Sequence, residues 1–242
     1  MRISRVSNAG VLLSLDGVNI LLDGFCRGED PYLATPADLR ESLLADPPDM
    51  LAFTHDHPDH FDGESVEQYR KQTLRPVLGP ETLPYATTDH GMALGGVSIL
   101  PVKSRHIGKE YFHIPHVSFD IEGSKSVWFL GDAVPSQWHG IDRKCDVLIA
   151  PFAYALSDSA WNMTCRLADH IVLVHMPLRE NDPAELWKQR DKIHRCCQSA
   201  DPASDSRQDY PSCPRSLDPL WAAGRCRNGG EALPGSADSH RC

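Results

Sequence analysis

Apolar residues along this chain fall into short runs, and the spacing within each run indicates the element it builds. Gly10–Leu15 and Val18–Asp23 are two β-rich runs joined by Asp16-Gly17, a pair that favours a type I′ hairpin because both positions accept positive φ. The chain is therefore predicted to open as an antiparallel meander. In ATPADLRESLLADPPD, Thr35 is the expected N-cap, Pro36 fits the first helical position, and Pro47-Pro48 ends a leucine-striped helix. DMLAFTH then reads as a buried strand, and FDGESVEQYRKQ as a helix with Asp62 as its candidate cap. Further strands are predicted at Pro76–Gly79, Val97–Val102, Val117–Ile121, Val127–Leu130, Val147–Ala150 and Ile171–Val174. Helices are predicted over Ser157–Ala168 and Asp182–His194, the second with Asp182 as cap and Pro183 at the first helical position. Strands of a meander interleaved with helices predict two packed sheets covered by helices.

Composition sharpens this picture at three points. A chain of 242 residues with 41% hydrophobic content can bury a sizeable core. A formal charge of −9 argues against a surface built to neutralise phosphates, so nucleic acid is not an expected partner. No window approaches a membrane span, and the first residues lack a signal-peptide core, which predicts a soluble, cytoplasmic protein. The eight cysteines are unevenly spread: Cys26, Cys145 and Cys165 read as ordinary buried thiols, whereas five lie between Cys196 and Cys242. That last stretch contains no Ile, Val, Phe, Met or Lys and shows no helical or strand period. The expected organisation is one domain over residues 1–195 and a disordered tail over 196–242 with no assigned role.

The chemistry concentrates in THDHPDH, where three histidines and two aspartates occupy residues 55–60 straight after an apolar strand. Residues two apart in extended chain point to the same side, so His55 and His57 can present both rings to one point. Pro58 blocks regular continuation, leaving Asp59 and His60 on a turn facing a second point. Such crowding is costly through desolvation and repulsion unless a cation compensates it. Imidazole and carboxylate are ligand types that zinc accepts, and manganese and iron also suit them. Downstream, His106, Asp132 and His175 each sit at or just past the end of a predicted strand, where loops converge on one cleft. His113 and His116 compete with His106, and His170 with His175, although His170 precedes its apolar run and would sit at the wrong end of the strand.

THDHPDH, followed by His106, LGDA and VLVHMP, resembles the metallo-β-lactamase superfamily over about residues 1–190. Within it, the short meander ending ILLDG is similar to lactonase-like hydrolases, the group that includes the ascorbate-6-phosphate lactonase. The resemblance implies a four-layer αββα sandwich of the α+β class. It also implies two zinc ions, one held by His55, His57 and His106, the other by Asp59, His60 and His175, with Asp132 bridging. Two metals acidify a shared water, so the implied activity is hydrolysis of a small-molecule ester, lactone or phosphoester by a zinc-bound hydroxide, with Asp59 a ligand or a proton-transfer group. Alternatives on the same fold are a phosphodiesterase or nuclease, an iron redox protein, and a non-catalytic metal-binding protein. Asp23 is expected to anchor the site loops from behind, and Gly131 to let backbone approach the metals. Arg105, His113, Trp138, His139, Tyr154 and Asn162 are candidates to line the cleft.

Overall fold

The computed structural model describes residues 1–30, 32–176, 185 and 188. Apart from Glu185 and Lys188, the predicted helix over Asp182–His194 lies outside the described residues, as does the tail over 196–242.

Strands β1 (Arg2–Arg5), β2 (Val11–Leu15) and β3 (Val18–Leu22) form the opening antiparallel meander. Asp16 and Gly17, with φ of 51° and 85°, turn β2 into β3 as their residue types require. A two-stranded ribbon of β4 (Gly28–Glu29) and β5 (Tyr32–Leu33) comes next, then α1 (Ala37–Ala45). Strand β6 (Met50–Ala52) joins β3 in parallel, α2 (Gly63–Thr73) crosses over, and β7 (Val77–Leu78) pairs in parallel with β6. The first sheet thus has the order β1-β2-β3-β6-β7.

The second sheet starts with an antiparallel run of β8 (Met92–Leu94), β9 (Val97–Arg105), β10 (Pro115–Glu122) and β11 (Ser126–Phe129). It ends with β12 (Cys145–Pro151) and β13 (Ala168–Val174), both parallel to β11 and separated by α3 (Asp158–Leu167).

The strand period of two explains the layers. Val18, Ile20, Leu22, Met50 and Ala52 point inward and meet Val127, Phe129, Val147 and Ile149 of the second sheet in one shared core. The alternate residues Leu21, Leu51 and Phe53 point outward and pack under Leu43 and Leu44 of α1 and Val66 and Tyr69 of α2. On the far side, Trp128, Leu130, Leu148 and Ala150 pack under Ala160, Met163 and Leu167 of α3. Central strands buried on both faces read as unbroken apolar runs, which is why VLIA and MLAF carry no polar alternation. The result is the αββα order.

Asp62 caps α2 as predicted, and α3 is capped by Ser157, a role the sequence reading did not assign. Asp62 accepts from Glu64 N at 3.3 Å, and Ser157 accepts from Ala160 N. Thr35 does not cap α1: its hydroxyl donates to Gly24 O at 2.7 Å and accepts from Cys26 N at 2.9 Å, and Pro36 takes the cap position without a side-chain bond. Thr35 is spent on holding the β3–β4 loop. Cys26 and Cys145 are buried as expected, but Cys165 is only partly buried. Among the described residues no helix is long and apolar enough to cross a membrane.

Candidate metal centre

The strand ends converge on one cluster. Beyond β6, His60 N and Phe61 N both donate to His57 O, at 3.0 and 2.9 Å, so the chain turns at Pro58 and brings Asp59 and His60 back beside His55. His106 follows β9, Asp132 follows β11 and His175 follows β13. Donor atoms of His55, His57 and His106 lie within 4.8 Å of one another, as do those of Asp59, His60 and His175. A third such group, His55, His60 and Asp132, links the two. Asp132 Oδ2 stands 3.3 Å from His175 Nε2, 3.4 Å from His60 Nε2 and 3.7 Å from His106 Nε2.

The Nε2 atoms of His55, His60, His106 and His175 are buried and make no hydrogen bond. His175 Nε2 does lie 2.9 Å from Asp59 Oδ2, as an ion pair without hydrogen-bond alignment. Four imidazole nitrogens aimed at one space are costly unless something there accepts their lone pairs. A nitrogen and oxygen donor set without sulfur fits a divalent cation of the zinc, manganese or iron kind.

Behind the donors a second layer fixes the rings of His55, His60 and His106. Asp23, fully buried, accepts from Thr54 N and Thr54 Oγ1, both at 2.7 Å, and pairs with His60 Nδ1 at 2.8 Å. Thr54 Oγ1 also meets His55 Nδ1 at 2.9 Å, so one carboxylate orients two rings. His106 Nδ1 bonds Ile107 O at 2.5 Å. In these three rings Nδ1 is occupied on the protein side, which leaves Nε2 for the cluster. Gly131, with φ of 54°, allows this layer to close: a Cβ there would stand 2.5 Å from Thr54 Cγ2. Its close approach is to Thr54, whose hydroxyl meets His55 Nδ1.

Electrostatics divides the cluster. Burial pushes His55 and His106 below the ordinary imidazole range, so both are neutral and ready to ligate. His60 is pushed up to about 10 and His175 well up; burial opposes both shifts, but Asp132, with Asp23 beside His60 and Asp59 beside His175, outweighs it. Asp132 and Asp59 are held low by the same histidines against their own desolvation. Protons thus balance the carboxylates where a cation would replace them.

His116 lies behind Asp132, its Nε2 accepting from Asp132 N at 3.1 Å while Nδ1 meets Ser104 Oγ at 2.7 Å. Burial pushes it down to about 3, so it stays neutral at physiological pH. A histidine whose folded value lies below its unfolded value binds its proton in the unfolded chain first. The stability it contributes is therefore complete above about pH 6.5 and drains away as pH falls toward 3. His116→Gln keeps an acceptor without the titration, so metal-free H116Q is expected to lose less melting temperature than wild type between pH 7 and 4.

The other sequence candidates do not join the donor groups. His113 and Arg105 are exposed, and His170 lies within β13. Trp138 Nε1 donates to Tyr154 Oη at 3.2 Å, and Tyr154 Oη donates to Ala133 O at 2.5 Å, inside the core under α3. His139 and Asn162 line a separate cavity of about 480 Å³ with Gly140, Ser159, Met163 and Arg166. Sequence reading missed Asn8, whose Nδ2 donates to Asp59 Oδ2 at 3.5 Å and whose carbonyl accepts from His175 N at 2.9 Å. It also missed Tyr32 and Tyr111. A polar Asn between the apolar runs of the meander was the one signal available for the first.

No family model matches the chain. Over 67 residues it is 34% identical to a metal-dependent hydrolase from Methanopyrus kandleri, a match covering 28% of this chain and only 26% of that protein's length. A possible metal-dependent hydrolase from Veillonella parvula superposes with a TM-score of 0.60 at 17% identity, over 81% of this chain and 92% of the other. A metallo-β-lactamase fold protein from Bacillus subtilis gives 0.52 at 18% identity, over 77% and 85%. This chain has the metallo-β-lactamase fold. A diiron β-hydroxylase from Streptomyces venezuelae also superposes on this metallo-β-lactamase-fold chain, with a TM-score of 0.56 at 17% identity over 81% of it and 50% of the hydroxylase.

Proposed function

We propose that this protein is a metal-dependent hydrolase of a small-molecule ester, with a cyclic ester of the lactone type as its favoured substrate. His55, His57 and His106 would hold one zinc ion, Asp59, His60 and His175 a second, and Asp132 would lie between them. The observation that carries this reading is the position of Asp132 Oδ2, within 3.7 Å of three imidazole nitrogens that make no hydrogen bond. A pair of divalent cations supplies acidified water and polarises the bond to be cleaved.

The chain's own residues supply order. Asn8 steadies the Asp59 carboxylate and the His175 backbone, while His116 fixes the backbone at Asp132. Asp23 and Thr54 hold His55 and His60 so that neither ring reorients when charge develops nearby. We also place the protein in the cytoplasm, a reading supported by the buried thiols of Cys26 and Cys145.

A second reading, an iron centre doing redox chemistry, is favoured by the sulfur-free donor set and the shared fold of the diiron β-hydroxylase. Metal analysis of protein purified with and without oxygen separates them. Zinc near two equivalents, with turnover of esters and lactones above that of bis(p-nitrophenyl) phosphate, is the expected result. Iron at stoichiometric level without ester turnover would overturn the hydrolase reading.

A further inference from the structure

Two tyrosines stand at opposite ends of the cluster. The Tyr32 ring meets the His175 ring edge to face, with centroids 4.4 Å apart and planes at 77°. The Tyr111 ring meets His57 at 5.3 Å and 76° and His106 at 5.1 Å and 56°. One tyrosine therefore touches a histidine of the Asp59, His60 and His175 group, and the other touches two of the His55, His57 and His106 group.

Both are held there by local backbone. Arg27 N and Gly28 N donate to Pro58 O at 2.8 and 2.9 Å, which pins the ribbon carrying Tyr32 to the histidine turn. Gly28, with φ of 79°, permits the ribbon, since a Cβ there would stand 2.3 Å from Ala34 N. Tyr111 closes a 3₁₀ turn, Lys109–Tyr111, that begins three residues after His106. Tyr111 remains 42% exposed and the adjoining Phe112 43%. Exposed aromatic area beside a polar centre costs free energy in water unless a ligand covers it.

Among the described residues beside the site, Arg5 donates to Ser7 O at 2.9 Å and Met176 O at 2.5 Å, and the Arg105 guanidinium stacks 4.9 Å over the Phe112 ring. Tyr32 and Tyr111 bring aromatic surface against the histidine rings from this rim.

Resting on the reading of the cluster as a metal centre, we infer that Tyr32 and Tyr111 are specificity-determining walls selecting substrates with an uncharged, planar aromatic body, such as aryl esters and aryl-fused lactones. A purely structural role for the two rings predicts no effect on which ligand is preferred.

The test uses hydroxamates, whose chelating head is constant while its substituent changes. Isothermal titration of the zinc-loaded full chain compares benzohydroxamate with acetohydroxamate, and zinc content is measured alongside. Wild type is expected to favour the phenyl compound by roughly tenfold, the scale of one aromatic contact plus its buried area. Y111A and Y32A are each expected to cut that ratio to below about threefold with zinc content unchanged, and Y111F and Y32F to retain it. A wild-type ratio near one, or a ratio that both alanine variants leave intact, would overturn the inference. Binding is read independently of turnover: a chain that shows the aromatic preference yet cleaves no ester keeps its walls and loses the hydrolase reading. A chain that cleaves esters without that preference does the reverse.

Discussion

On the proposed two-zinc esterase reading, Asp132→Ala is expected to lower the zinc content from two equivalents to one or fewer and kcat/KM on its best ester by about a thousandfold or more. The size follows from position. Asp132 Oδ2 is the carboxylate oxygen nearest at once to His60, His106 and His175, so its removal affects both donor groups. It also leaves two imidazoles whose protonation depends chiefly on it inside a buried cluster without their main counter-charge. Zinc analysis after dialysis, with steady-state kinetics on the same sample, measures both effects. A variant that keeps two equivalents and full turnover would remove Asp132 from the centre.

The second large effect is expected at Asp23, which touches no other member of the cluster than His60. Its carboxylate accepts two bonds from Thr54 and pairs with His60 Nδ1, all in a fully buried pocket. Asp23→Ala leaves Thr54 N and His60 Nδ1 without this acceptor and Thr54 Oγ1 with His55 Nδ1 alone, a loss of roughly 3–5 kcal/mol for a broken buried charged pair. It also frees the His55 and His60 rings, and loss of such outer support typically weakens metal binding by about 10–100-fold. Urea unfolding of the metal-free variant measures the first quantity and zinc titration the second. D23N, which keeps the shape and one acceptor, should fall between D23A and wild type in both.

Much of the frame was legible because its signals are local. VLIA and MLAF are too continuously apolar to be half-exposed strands, and in the fold each faces a core on both sides. Asp16-Gly17 and the caps at Asp62 and Ser157 depend on neighbouring residues only, and they behave as their chemistry requires. Strands β1 and β8, RISR and MAL with its exposed rim, are too short to show a period and exist because an adjacent strand offers a ladder. Thr35 failed as a cap because its hydroxyl serves a loop nine and eleven residues back, a partner no local rule contains.

The choice among His106, His113 and His116 shows the same boundary. All three follow one apolar strand within eleven residues, and sequence spacing only ranks them. In the fold His106 enters the donor group, His113 is exposed, and His116 turns its Nε2 to the Asp132 backbone.

By itself the sequence determined which residue types were present and roughly where the central strands would lie, because periodicity and turn chemistry act over a few residues. Only the tertiary structure decided which of those ends meet. Asn8, Tyr32 and Tyr111 take their places through ladders and loop contacts between segments far apart in the chain, and such contacts have no local pattern from which they can be read.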